Sequence, residues 1–225
     1  MTDEDKRLRA DAARNRRRLL DAAQELFCER GLDVGVGEIA ERAGVGRGTL
    51  FRNFASKEQL IAAIVAERMH EAAARGRELL SAPDPQAGLF EFLEEMVGRQ
   101  QLDRGLFEAV AGEFLANEEI RDAHAEVIAT LDQLLARARE AGAIRDDVGA
   151  VDVLMMLKGV FGAAAAFSHV NPGIAGRQLG LVRAAISVPA AAQPLQGRPP
   201  TVQDIEHAYL GQDVPEQAKQ VQGKA

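Results

Sequence analysis

Apolar residues recur every three or four positions along most of the chain, and no convincing alternating run of the kind a strand needs interrupts them, so the pattern predicts an all-α fold. Leu19, Leu20, Ala22, Ala23, Leu26 and Phe27 mark a first helix that ends at Gly31. Ile39, Ala40 and Ala43 share one face of a short second helix, and Gly44 caps it, because glycine enters the left-handed conformation without a Cβ clash. Val45, Leu50 and Phe54 begin a third apolar set, which turns Arg47, Thr49, Arg52 and Asn53 onto other faces. Ser56, followed by Glu58 and Gln59, opens a long helix carrying Leu60, Ile61, Ile64, Val65 and Met69 to about Leu80, where Pro83 and Pro85 stop it. Leu89, Phe90, Phe92, Leu93, Met96 and Val97 form the next helical pattern. Leu106, Phe107, Val110, Phe114 and Leu115 form another, with a break at 103–105 between the two. Val127, Ile128, Leu131, Leu134, Leu135 and Ala138 predict a further helix that stops near Gly142.

From about Val148 the pattern changes. Val151, Val153, Leu154, Met155, Met156, Leu157, Val160, Phe161 and the alanines at 163–166 are apolar on nearly every face, and a helix apolar all round is buried. After Asn171, Pro172 and Gly173, a partner helix starts with Ile174, Leu179, Leu181, Val182, Ala185 and Ile186, and Gly159, Gly162, Ala163, Gly176 and Gly180 permit close backbone approach. In a domain of this size such a pair predicts one face toward the core and one toward a second copy of the chain, with Met156, Gly159, Gly162, Ala163, Ala166, Leu179, Val182 and Ile186 at the interface. Burial within a single chain is the alternative. Residues 1–12 are charged with almost nothing apolar and read as a loose arm, whereas 189–225 are rich in Pro, Gln and Gly and read as a mobile tail. The chain thus divides into that arm, a helix-turn-helix at 13–60, a larger helical domain at 61–188 and the tail.

The polar face of the third helix carries the chemistry. Arginine grips O6 and N7 of guanine with two bonds, asparagine does the same for N6 and N7 of adenine, and threonine offers a hydroxyl or a methyl. Lys57 adds a cation where a phosphate would sit, near free backbone N–H groups. Turn, core spacing and polar face agree at once, which favours a DNA reader over a merely solvated hairpin. From about Arg14 to Leu60 the segment resembles the DNA-binding domain of the TetR (tetracycline repressor) family. The resemblance implies an all-helical homodimer that binds a palindromic operator and leaves it when a small molecule fills the C-terminal domain. Carried over by position, it puts Arg47, Gly48, Thr49, Arg52 and Asn53 in the major groove, and Phe51 and Lys57 against the DNA backbone. The family usually has Thr at the position of Gly35, Ser at Gly46 and Tyr at Phe51, so two side-chain caps and one hydroxyl are missing here. Gly37 costs roughly 1 kcal/mol against alanine inside a helix and offers DNA no side chain, so operator reading should lean on the third helix.

A net charge of −7 looks wrong for a DNA binder, but its distribution is uneven. Up to Leu60 there are 12 Lys/Arg against 11 Asp/Glu, and beyond it 15 against 23. Arg14, Arg16, Arg17 and Arg18 concentrate positive charge beside the helix-turn-helix, where Arg14, Arg16 and Arg17 are expected on flanking phosphates; a solvated helix end is the alternative.

The effector site is fainter. Phe90, Leu93, Met96, Phe107, Phe114, Met155 and Phe161, with Phe167, are candidates to line an apolar cavity anchored by His124, Asn117 or Glu113, although each apolar residue also suits plain core. That lining favours a hydrophobic or amphipathic ligand. Four scattered histidines, no Ser/His/Asp order, no phosphate loop after a strand and no zinc spacing argue against an enzyme, and no metal or other cofactor is expected; Glu113 with His124 is the one metal pairing worth naming. Cys28, the single cysteine, stands beside Phe27 in an apolar stretch where a buried thiol is usual. With no apolar run long enough to span a bilayer and no signal-peptide pattern, the expectation is a cytoplasmic regulator that uses duplex DNA, a small effector and its own second copy as partners, and no membrane.

Overall fold

The computed structural model describes residues 3–102, 105, 106, 117–188, 201 and 203. Among the described residues the helices in order are α1 (Asp3–Arg30), α2 (Val36–Arg42), α3 (Arg47–Asn53), α4 (Lys57–Leu79), α5 (Pro85–Leu102), α6 (Glu118–Glu140), α7 (Ala150–Phe167) and α8 (Ile174–Ile186). Among the described residues there is no strand, only an isolated antiparallel bridge between Ile144 and Ser187. The chain forms two compact units, Met1–Glu71 with Leu102–His124, and Ala72–Gln101 with Ala125–Ala225. This division differs from a simple cut at Leu60: the first unit keeps α4 through Glu71 and includes the start of α6.

In the first unit, α1 packs on α2 and α3, and α2 packs on α3. Leu19, Ala23, Leu26, Ile39, Ala40, Leu50, Leu60 and Ile64 are buried there, the spacing that put them on common helix faces. The α2–α3 turn is a Schellman cap: the Val45 N–H donates to the Ala40 carbonyl and the Gly44 N–H to that of Glu41, both at 2.9 Å. Gly44 has φ +64°, which a side chain would resist. At the other end of α2 the Glu38 carboxylate accepts the Gly35 N–H at 3.2 Å, and Gly35 has no side chain with which to reciprocate. The Ser56 hydroxyl accepts the Gln59 N–H at 3.2 Å and opens α4.

Two expectations change here. The first residues are not a loose arm, because α1 is helical from Asp3. Asp3, Glu4 and Asp5 suit the positive end of the helix dipole, and Lys6, Arg7, Arg9, Ala10 and Ala12 are good helix formers, so that stretch needs no apolar face. Cys28 is exposed rather than buried. Leu26 and Phe27 take the inward positions, and the next residue is turned about a third of a turn away.

In the second unit Gly76 of α4 sits against Phe92 of α5 and Thr130 of α6. Arg75 pairs with Glu91 at 2.6 Å and Glu95 at 3.0 Å on α5, and Arg77 with Glu126 at 3.5 Å on α6. The α7–α8 pair closes the unit, Val153, Leu157 and Val160 of α7 being buried together with Ala175, Leu179, Val182 and Ile186 of α8. After α6, the Arg145 N–H donates to the Ile186 carbonyl at 2.9 Å and the Val188 N–H to Ala143 at 3.1 Å, tying the two chain segments together. Helix α7 also corrects the reading that no apolar run can span a bilayer. With 18 residues and a mean hydropathy of 1.7, it is long and apolar enough by length and composition, one third of it being buried. The Pro- and Gln-rich tail, and the expectation of its mobility, lie outside the described residues apart from Thr201 and Gln203.

Candidate nucleic-acid interface

Helix α3 is short and is held from beneath. Leu50 is fully buried, and Phe54, at its C-cap, is 3% exposed. That anchoring turns Arg47, Gly48, Phe51 and Arg52 outward and leaves Thr49 and Asn53 half-buried at the edge. The residues expected to read bases therefore stand together on one short helix. Arg52 lies back along it, its Nε donating to the Gly48 carbonyl at 3.2 Å and Nη2 to the Thr49 hydroxyl at 3.0 Å. Asn53 Nδ2 donates to the Thr49 carbonyl at 2.7 Å. Both side chains make bonds within their own helix that a base edge can replace. Phe51 is 51% exposed, a large apolar ring left beside the polar face.

The basic residues around α3 are in different electrostatic states. Arg14 pairs with Asp11, and Arg17 with Asp21 at 2.8 Å and with Glu67. The bond from Asp21 and the charge of Glu67 raise the Arg17 pKa still further. Arg16 pairs with Glu119 at 2.9 Å and stacks over the Phe54 ring at 5.0 Å. Arg30 is bonded to Glu38, and Arg42 to Glu25 at 3.2 Å and Glu29 at 3.1 Å. Bonds from these arginines hold the Glu29 and Glu38 carboxyls below their ordinary range. Lys57 donates to the Leu32 carbonyl and lies over the Phe27 ring at 5.8 Å. By contrast, Arg18 and Arg47 have neither carboxylate nor hydrogen-bond partner among the described residues, and each guanidinium lies across a glycine, Arg18 on Gly44 and Arg47 on Gly37. Sequence reasoning counted Arg18 in the basic cluster without singling it out, and saw nothing in Gly37 but a cost.

A polar cleft of about 640 Å³ borders this surface, lined by Arg16, Asn53, Phe54 and Gln59 on one side and Asn117, Glu118, Glu119 and Asp122 on the other. Asn117, considered as a ligand anchor, caps α6 by accepting the Ile120 N–H at 3.1 Å. The other effector candidates are dispersed. Phe90 and Leu93 are buried in the core, Phe90 with Arg183 4.5 Å above its ring; Met96 and Phe161 are half-buried, and Met155 is 40% exposed. Phe167 is also exposed. His124 is half-buried and belongs to the first unit, while Phe107, Phe114 and Glu113 lie outside the described residues. No group of three potential metal ligands stands together among the described residues.

Of the residues expected at a dimer interface, Gly159, Gly162 and Ala166 are exposed on α7, and Met156 and Ala163 are half-buried. Leu179, Val182 and Ile186 are buried within the chain itself, and the outward positions of α8 are Gly176, Arg177, Gly180, Leu181, Ala184 and Ala185.

Comparison with known proteins gives this geometry a family. Residues 19–64 match the model for bacterial regulatory proteins of the tetR family, and residues 84–188 match the C-terminal domain of SbtR-like transcriptional regulators. The transcriptional repressor Rv1474c of Mycobacterium tuberculosis is 31% identical over 149 residues, 60% of this chain and 72% of that protein. The regulator UidR of Escherichia coli K12 is 26% identical over 146 residues, 63% of this chain and 74% of its own. A TetR regulatory protein of Mycobacterium vanbaalenii, known from its crystal structure, is 36% identical, covers 80% of this chain and 99% of its own, and superposes with a TM-score of 0.58. These matches, over an α3 held from beneath with its arginines outward, make this chain a transcriptional regulator of the TetR family.

Proposed function

We propose that the chain is a homodimeric, cytoplasmic repressor that binds a palindromic operator and is released by a small hydrophobic or amphipathic ligand, without catalysis and without a membrane. The carrying observation is α3: Arg47 and Arg52 project from, and Thr49 and Asn53 stand at the edge of, a helix anchored by buried Leu50 and by Phe54 at its C-cap. In this reading those side chains meet base edges in the major groove, with Gly48 allowing close approach. Phe51 and Lys57 stand against the backbone, the Lys57 ammonium using one of its three donors on Leu32 and offering the others to phosphate. Arg14, Arg16 and Arg17 flank the groove, their charge already shared with carboxylates.

A recognition helix of two turns reads only a few base pairs, so operator affinity needs two of them on one face of the duplex, roughly 34 Å apart. The exposed small residues of α7 and the outward Leu181 of α8 support pairing of two chains there. Repression is supported by the relative of Mycobacterium tuberculosis named as a repressor. The apolar residues Phe90, Leu93, Met96 and Phe161 of the second unit support an apolar effector. The test is selection of the purified chain on randomised duplex DNA, repeated with Arg52→Ala. The expected result is an inverted repeat, and the variant loses about 1–3 kcal/mol with preference relaxed at one base position per half-site. Failure to retain any duplex at low ionic strength, including DNA upstream of its own gene, would overturn the reading.

A further inference from the structure

Gly37 weakens α2 as a sequence position and gives DNA no side chain. The structure gives it another part. The guanidinium of Arg47, from the first turn of α3, lies directly across it: a Cβ at position 37 would stand 2.7 Å from both Cζ and Nε of Arg47, nearer than real Cβ atoms approach anything. No charge holds the arginine there. Glu38 is already engaged by Arg30 and by the Gly35 N–H, and Arg47 has no bonded partner among the described residues. The seat is one of shape, an arginine lying on bare backbone.

We propose that Gly37 is a specificity-determining residue of the reading head, because its missing side chain leaves the place on α2 across which Arg47 lies and so sets the base edge that Arg47 reaches. The inference rests on the DNA reading above and deepens it. A bidentate arginine–guanine contact needs both N–H groups aimed together, and the surface on which the guanidinium rests sets the direction from which it reaches. With a methyl group at 37 the guanidinium swings aside. That movement costs the fold little, since the displaced atoms are the far end of a flexible side chain and alanine is the better helix former.

The experiment uses the full chain in four forms, wild type, Gly37→Ala, Arg47→Ala and the double variant, each put through duplex selection and a thermal melt. Gly37→Ser repeats the first substitution with another small side chain. Gly37→Ala is expected to lose about tenfold in discrimination at the same base position as Arg47→Ala, to keep or raise its thermal midpoint, and to add nothing in the Arg47→Ala background. Unchanged preference, a shift at a different base, or an effect that persists without Arg47 would each overturn the proposal. The seat is also read without DNA, as a nuclear Overhauser contact between Gly37 Hα and the Arg47 Hδ protons in selectively labelled free protein. Its absence overturns the seat whether or not DNA binds. A wild type that shows the contact but selects no sequence overturns the DNA reading, and the specificity role with it.

Discussion

At Gly76, in the middle of α4, a single methyl group has nowhere to go. A Cβ there would stand 2.5 Å from Thr130 Cγ2 and 2.8 Å from Phe92 Cε2. Neither neighbour can yield easily. Phe92 is 1% exposed, and Thr130 is buried with its hydroxyl fixed on the Glu126 carbonyl at 2.8 Å. Overpacking of this kind costs about 1–3 kcal/mol, and the better helix propensity of alanine returns at most about 1, so Gly76→Ala should lower stability by about 1 kcal/mol in a denaturant titration. An unchanged or raised midpoint would show that the contact relaxes. Arg17 and Arg18 make a second contrast, adjacent in sequence and opposite in electrostatic state. If Arg18 meets a phosphate, Arg18→Ala should flatten the salt dependence of operator binding by about one unit of slope, and Arg17→Ala, its charge already shared with Asp21 and Glu67, should change it less. Equal slopes across a salt titration would refute the distinction. Sequence shows four arginines close together but not their partners. Asp21 stands one helical turn from Arg17 and can be guessed, whereas Glu67 and Glu119 lie about fifty and a hundred residues away and come close only through the fold.

Among the elements, α2 is held at both ends by ionised carboxylates. Seven residues long and opened by a glycine without a side-chain cap, it is held at its start by Glu38, bonded to Arg30 and the Gly35 N–H, and at its end by Arg42 on Glu25 and Glu29 of α1. The carboxyls of Glu38 and Glu29 lie below their ordinary value of 4.5, first because of their arginine hydrogen bonds. A carboxyl whose folded pKa is depressed stabilises the fold fully above the unfolded value, and that contribution is lost as pH falls through the folded value. Acidification below about 4.5 should therefore lower the amide protection factors of α2, taken relative to intrinsic exchange, before those of the core of α4, and Glu38→Gln should remove part of that pH dependence. Equal pH dependence in α2 and α4, or an unaltered Glu38→Gln profile, would count against it. The existence of α2 and α3 was legible because apolar spacing and the left-handed Gly44 point to the same boundary. The start of α1 was not, since a stretch of charged residues with almost nothing apolar leaves no periodic trace. Nor was the orientation of α7: a helix apolar on nearly every side carries no phase.

For the whole molecule, that lost phase decides how a dimer is tested. On α8 the positions 175, 179, 182 and 186 form a clean helical stripe, and the structure buries it against its own chain. A charge at Val182 is therefore expected to unfold the protein, and any loss of dimer with it would say nothing about the interface. Leu181 is 56% exposed one position away, and Gly162 is exposed on α7. Leu181→Glu or Gly162→Glu should leave helicity and thermal midpoint near wild type yet shift the sedimentation coefficient to that of a monomer, because a charge facing its own copy across a two-fold axis meets itself. Operator affinity should fall with it, toward that of one short recognition helix, and half-site binding should survive. A fully dimeric Leu181→Glu would place the pairing surface elsewhere. A monomer that still bound the full operator as tightly as wild type would remove the need for pairing altogether, and with it the reason to read the small-residue face of α7 as a contact between chains.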